Sequence, residues 1–302
     1  MSATSSADGE PTDLAGKHLA LLIGINLIWG ANLIASKIGV GYFPPIFFTA
    51  LRFLSLVLFL IPVLKLHRGQ MKNLIAGTAL MGPVAFAFLF VGLQKAEDAS
   101  TVAIATQLGV PFSTLFSVWL LGETIRWKRR LGIALAFGGI VIIGFDPRVI
   151  DYWEGLALVV ISCVFSSLGL IFIKRLRDVQ PLELQIWTAV IGAPILLLVS
   201  FTLEGGQFEA VRNASWEGWS ALAFTVLLSS LIAHTGWYYL ISRYPVTSLS
   251  PITLLSPLFG IFFGVTLLND HLTTRMLIGG VITLIGVFIV VLREKRIVDT
   301  GT

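Results

Sequence analysis

The chain has 302 residues, 56% of them hydrophobic and 13% charged, with a mean hydropathy of +0.88, where soluble domains carry about a quarter charged residues. That balance excludes an ordinary soluble domain and marks a membrane protein; the net charge of +4 does not point to nucleic acid, because the basic residues lie between apolar runs. The single cysteine, Cys163, excludes an intramolecular disulfide and leaves no cysteine-built metal site.

In chain order, the opening MSATSSADGEPTDLA is polar and acidic, unlike the basic start of a cleaved signal peptide, so residues 1–18 are expected to be a disordered cytoplasmic tail. Ten apolar runs follow, most near the roughly 20 residues that a helix needs to cross about 30 Å of hydrocarbon. They are Leu19–Ser36, Ile46–Leu64, Leu74–Leu93, Thr101–Leu121, Leu131–Phe145, Gly155–Ile173, Leu184–Leu203, Trp216–Ile241, Val246–Leu268 and Met276–Leu292, before a second tail at 293–302.

In the first run, Trp29 and Asn32 are neighbours on one helical face, with Asn26 a turn below. Trp29 is too deep for the interfacial belt where tryptophan collects; the pair either lines a cavity or packs between helices. Trp127, Trp153 and Trp216 sit at run ends, as interfacial residues do.

Arg52 stands alone in PPIFFTALRFLSLVLFLIPV, roughly 10 Å from the outer end of the second run at 1.5 Å per residue. Its guanidinium stays protonated. Either it snorkels outward or pairs with Glu97 or Asp98 in the next outer loop, or it faces a cavity and holds a substrate carboxylate bidentately.

Gln107, in the fourth run, lies four residues before Pro111, whose ring removes one backbone donor and crowds the Gln107 carbonyl. A free carbonyl beside an amide makes a polar shelf for a ligand, or else a helix-to-helix hydrogen bond. In the eighth run, His234 shares a face with Trp237, Tyr238 and Ser230. It either switches charge to couple a proton or read an amine, or stays a neutral imidazole on a nearby hydroxyl or backbone group. All seventeen acidic residues fall in tails, loops or run ends, so the membrane carboxylate that often titrates in proton-coupled carriers is missing. The glycines of the fifth and tenth runs, among them Gly132, Gly138, Gly139, Gly279, Gly280 and Gly286, allow close backbone approach between helices or between protomers, so a homodimer is one use of them. NAS at Asn213 matches the glycosylation acceptor pattern, which is common by chance.

With a cytoplasmic N-terminus assumed, Lys and Arg number fifteen in the cytoplasmic segments. The outer loops hold five, namely Lys37, Lys95, Arg148, Arg212 and Arg275. The bias predicts a multi-pass protein of the cell membrane with both termini in the cytoplasm. The fourth and fifth runs, PFSTLFSVWLLGETIRWKRRLGIALAFGGIVIIG, match the ninth and tenth, PLFGIFFGVTLLNDHLTTRMLIGGVITLIGVFIVV. Pro111 falls on Pro257, Glu123 on Asp270, and Gly132 and Gly139 on Gly279 and Gly286. The expected fold class is therefore an all-α membrane protein of ten transmembrane helices in two inverted five-helix repeats, residues 19–145 and 155–292, since an odd number of spans turns the second copy over.

LIWGANLIASKIG, PPIFFTALRF and LLGETIRWKRRLGIALAFGGIVIIG resemble the EamA-type members of the drug/metabolite transporter superfamily. The arrangement of proline, apolar run, LLGE and glycine-rich span occurs twice across Leu19 to Leu292. FAFLFVGLQKAEDASTVAIATQLGVPF and LISRYPVTSLSPITLLSPL look most like the branch that exports cysteine and O-acetylserine. The departure is LLND, with Asn269 and Asp270 where the pattern has Gly-Glu. The resemblance implies a secondary transporter with a small-molecule substrate, the bilayer as its setting, and no cofactor, metal or nucleic acid. A substrate pathway over Trp29, Asn32, Arg52, Gln107, His234 and Trp237 is the expectation. No GxxxxGK[ST] loop, HExxH, paired carboxylates or cysteine-histidine set supports an enzyme; exporters of aromatic amino acids, threonine, amines or drugs, and more remotely a channel, are the alternatives.

Overall fold

The computed structural model describes residues 16–241, 243–244, 249 and 251–292, the side chain of Tyr238 excepted. The tail residues 1–15 and 293–302, and residues 245–248 where the ninth run was expected to begin, lie outside them. Among the described residues every regular element is helical. We number the ten apolar helices α1 (Gly16–Tyr42), α2 (Pro45–Val63), α3 (Met71–Lys95), α4 (Ala99–Leu121), α5 (Trp127–Gly144), α6 (Trp153–Ile173), α7 (Pro181–Leu203), α8 (Trp216–Ile241), α9 (Ile252–Leu267) and α10 (Thr274–Leu292). Eight of them are long and apolar enough to cross a membrane. The exceptions are α9, which is shorter, and α5, whose first turn carries Lys128, Arg129 and Arg130. Two loops expected to be plain connections hold short helices, Pro147–Asp151 and Gln207–Asn213.

Local chemistry sets the helix ends. Pro45 and Pro181 occupy first-turn positions, where the missing N–H costs nothing and φ is already helical. The Glu204 carboxylate, arriving from the end of α7, accepts from Ile46 N (2.8 Å) and Phe47 N (3.0 Å), two donors that the start of α2 leaves orphaned. At the close of α4, Gly122 takes φ +70°, the left-handed stop that glycine adopts without strain.

Large apolar side chains also face outward along most helices, Leu58, Leu198 and Leu267 among them. Helices apolar all round suit a hydrocarbon solvent, where the backbone must satisfy itself. Trp127, Trp153 and Trp216 are exposed at the first residue of α5, α6 and α8.

The internal match is visible helix by helix. A 3₁₀ turn at Thr106–Leu108 runs into Gly109–Leu121, and a turn at Ile252–Leu254 runs into Leu255–Leu267, with the same lengths. The third helix of each half carries a π segment, Leu80–Val84 in α3 and Phe224–Ala233 in α8. Helix pairs obey the same exchange: α3 packs on α6 and α8 on α1, α4 on α6 and α9 on α1, while α2 pairs with α7 and α5 with α10. In the α5–α10 seam the glycines oppose each other, a Cβ on Gly132 lying 2.8 Å from Gly286 O and one on Gly286 2.6 Å from Gly132 O. The seam lies within one chain.

Loop contacts sort to two ends. Gln70 meets Arg177, Lys65 meets Glu183 and Lys174 meets Glu123 at the end where Gly16 and Leu292 lie. At the opposite, far end Lys95 meets Glu154 and Arg148 meets His271. One loop assignment is corrected: Lys37, expected outside the first span, is part of α1. Its ammonium donates to Leu93 O (2.8 Å) and Ala96 O, carbonyls that the end of α3 leaves without helical partners, which the long lysine stem can reach.

Candidate functional site

Between α1, α2, α3 and α8 lies a cavity of about 260 Å³. From α1 come Trp29, Asn32 and Ser36, spaced along one helical face. The second helix contributes Arg52, α3 a wall of Phe86, Leu89, Phe90 and Leu93, and α8 contributes Ser229 and His234.

Arg52 is the one lining residue of fixed charge, and it is 4% exposed. Its expected partners, Glu97 and Asp98, are not the ones it meets. Nε and Nη2 donate to Ser230 Oγ at 3.1 and 2.9 Å, the guanidinium carbon stands 5.3 Å from the Phe86 ring centre, and Nη1 makes no hydrogen bond among the described residues. Asp98 instead accepts from Tyr152 Oη (3.1 Å) and His271 N (3.3 Å), out of reach at the far end. The cation is thus held by a neutral hydroxyl and an aromatic face.

The π geometry of α8 builds that support. With each turn widened by a residue, Ser230 Oγ donates to Thr225 O (2.8 Å) while accepting from Arg52. His234 Nδ1 lies 2.6 Å from Ser229 O; a carbonyl only accepts, so Nδ1 carries a proton. Ring contacts put Trp29 5.4 Å from His234 and 5.8 Å from Trp237. Trp237 thus stands behind Trp29 rather than on the cavity wall. π segments are uncommon and concentrate at functional sites.

Among the described residues, three polar atoms of the cavity-lining residues of α1 are buried with no hydrogen-bond partner, Trp29 Nε1, Asn32 Oδ1 and Ser36 Oγ, and Asn26 Oδ1 is a fourth on α1 outside the lining. Each orphaned polar atom costs about 1–3 kcal/mol, so three around one cavity make a place prepared for a polar guest.

Gln107 is not among the lining residues. The tight turn before Pro111 presents its carbonyls to α6: Cys163 Sγ lies 3.6 Å from both Ala105 O and Thr106 O, and Ser167 Oγ donates to Gly109 O at 2.9 Å. The neighbouring helix thus meets the carbonyls of Ala105, Thr106 and Gly109 on either side of Gln107. Four of the six expected pathway residues therefore meet at the cavity: Trp29, Asn32, Arg52 and His234. Ser36, Ser229 and Phe86 were not anticipated; helical spacing from Trp29 and Asn32 pointed to Ser36, and nothing local pointed to the other two.

Both ends are packed. Toward the termini, Leu22, Ile25, Ala233 and Leu240 cluster with Trp29 and Trp237 against them, and His18 Nδ1 lies 2.7 Å from Tyr244 Oη. Toward the far end, Gln94 Nε2 donates to Val40 O (3.1 Å) beside the Lys37 contacts, and Asp270 Oδ2 accepts from Ser100 N (2.7 Å) and Oγ (2.6 Å).

A helical protein with eight helices long and apolar enough to cross a membrane, and a small cavity between four helices lined by a few polar groups on an apolar wall, is built like a carrier of small solutes. Residues 16–145 and 153–292 each match the model of the EamA-like transporter family, and the chain belongs to that family. Among curated relatives, the probable amino-acid metabolite efflux pump of Escherichia coli (strain K12) is 27% identical over 94% of this chain and 98% of its own length. The uncharacterized transporter YoaV of Bacillus subtilis (strain 168) is 26% identical over 88% of this chain and 94% of its own. A solved crystal structure at 19% identity superposes with a TM-score of 0.60 over 94% of this chain and 99% of that one, a likeness of fold.

Proposed function

We propose that the protein is a secondary transporter that exports a small amino-acid-like metabolite, of the cysteine and O-acetylserine class, across the cell membrane by alternating access. The observation that carries this reading is the cavity, in which a cation with no carboxylate partner among the described residues and three orphaned polar atoms face a common space. Its volume lies just below the range of about 300–1,000 Å³ usual for drug-sized ligands, which favours a small metabolite. Arg52 supplies the carboxylate contact, and His234 is the group available to exchange a proton.

The exchange of helix pairs between halves supports an inverted-topology repeat with its axis in the membrane plane. Each half can then adopt the other's conformation while the site stays near mid-membrane. With the termini in the cytoplasm, as the basic-residue bias favours, the far end is the extracytoplasmic gate. The similarity to an efflux pump for amino-acid metabolites points the same way. A channel would want a continuous polar path, whereas these polar groups cluster between two packed ends.

Efflux from proteoliposomes loaded with labelled cysteine, O-acetylserine, threonine, an aromatic amino acid or a cationic drug tests the reading. One amino-acid class should leave vesicles of the wild type and be retained by those of Arg52→Ala, with His234→Ala abolishing any response to an imposed proton gradient. Retention of every solute by folded wild-type protein would remove the substrate assignment.

A further inference from the structure

We propose that the cavity selects by charge, favouring a small monocarboxylate whose amine is acylated over the free zwitterion of the same composition. The inference rests on the cavity being the substrate site and concerns which member of the amino-acid metabolites fits it best.

Count first the charges that face the space. Arg52 enters from α2; α1 and α3 bring neutral residues, and α8 brings Ser229 and His234. No carboxylate lines it among the described residues. Three acids on neighbouring segments are committed elsewhere, Asp98 to Tyr152 and His271, Asp270 to Ser100 and Glu204 to the start of α2. A desolvated cation gains most from a guest that brings the complex to neutrality. A monoanion does this. A zwitterion satisfies Arg52 but strands its ammonium among neutral groups, and a cation adds repulsion; protonation of His234 would only sharpen the demand for an anion.

The orphaned atoms then say what should replace the ammonium. Trp29 Nε1 is a donor and Asn32 Oδ1 an acceptor, a turn apart on one face, with Ser36 Oγ beyond them able to act as either. A secondary amide carries the complement, one C=O and one N–H. The carboxylate on Arg52, the amide against Trp29 and Asn32, and the acyl carbon on Leu89 and Phe90 match the cation, the two complementary polar atoms and the apolar wall.

Three closely matched probes test this on purified protein by calorimetric binding at mildly acidic pH, where acyl migration is slow: N-acetyl-L-serine, its isomer O-acetyl-L-serine, and N-acetyl-L-serinamide. The expected result is that N-acetyl-L-serine binds about tenfold or more tighter than O-acetyl-L-serine, and that the uncharged serinamide shows no binding. Arg52→Gln should erase the preference and Arg52→Lys keep it, while Trp29→Phe should weaken N-acetyl-L-serine more than O-acetyl-L-serine. Equal or tighter binding of O-acetyl-L-serine to the wild type overturns the charge selection and leaves the cavity as the site. Absence of binding by all three, or binding indifferent to both Arg52→Gln and Trp29→Phe, overturns the site itself. The wild-type comparison decides the matter even if a variant fails to fold.

Discussion

A guanidinium buried to 4% exposure, with a serine hydroxyl and a phenylalanine face as its contacts and no carboxylate paired with it among the described residues, is expensive to keep. Replacing buried charge with apolar side chains of similar volume is often neutral, or stabilising by about 1–4 kcal/mol. Arg52→Met should therefore raise or preserve the melting temperature in detergent while abolishing export, a separation that thermal unfolding and vesicle efflux measure on the same preparation. A fall in stability with transport intact would make Arg52 a structural pin. Its isolation could be read from the apolar run around it, though not whether it snorkels outward or stays inside. Its partner could not, because Ser230 is remote in sequence and is presented by a π turn that no periodic pattern announces.

At the scale of elements, the seam between α5 and α10 depends on glycines that oppose each other backbone to backbone. A side chain on Gly132 would strike Gly286 O at 2.8 Å and Ile289 on the same side, whereas Gly138 has nothing within 4 Å of a Cβ. Gly132→Val should cost about 1–3 kcal/mol through overpacking, and Gly138→Ala should leave the unfolding temperature near that of the wild type. Paired thermal scans in one detergent check both. The repeat in the sequence anticipated this seam, since a two-fold exchange that maps Gly132 onto Gly279 also maps Gly286 onto Gly139. Where helices deviate from regularity, the sequence was weaker: Pro83 and Pro111 mark two distortions, but Phe224–Ala233 contains no proline.

Across the whole molecule, the far end holds polar contacts joining three segments, residues 98–100, 146–152 and 270–273. Asp270 caps the start of α4 through Ser100, Asp98 receives Tyr152 and His271, and Asp146 receives Thr273 Oγ1 and Arg148 N. Asp270→Ala should loosen this end. In a Cys163→Ala background, a cysteine placed at Ser36 should react faster with a membrane-impermeant thiol reagent once Asp270 is removed; an unchanged rate would assign the closure to other contacts. Burial holds the Asp98 carboxyl above the ordinary carboxylate range, with the Tyr152 hydroxyl opposing the shift and Asp270 adding to it. A raised folded value means that the folded chain binds the proton more readily than the unfolded one. The stability that Asp98 contributes is then present below the unfolded value, near pH 4, and lost as pH rises through the higher folded one. Melting temperatures across the mildly acidic range should fall with rising pH more steeply in the wild type than in Asp98→Asn, the neighbouring Lys37, Glu97, Asp270 and His271 being common to both.

The membrane setting, the approximate helix positions and the doubled plan followed from the sequence itself, because hydrocarbon demands long apolar helices and a repeat matches itself residue by residue. The polar residues of mid-span were legible as a short set for the same reason: Arg52, Asn32 and His234 stand out against apolar neighbours. Which of them meet was decided by tertiary structure alone. Gln107 is absent from the lining of their cavity, Lys37 leaves its expected loop to hold the end of α3, and Ser229 and Phe86 join the site from helices remote in the chain. Depth follows from position along one helix, a quantity local to the chain. Facing depends on how each helix is rotated against the others, and glycine seams, 3₁₀ turns and π turns set that only once the helices have packed.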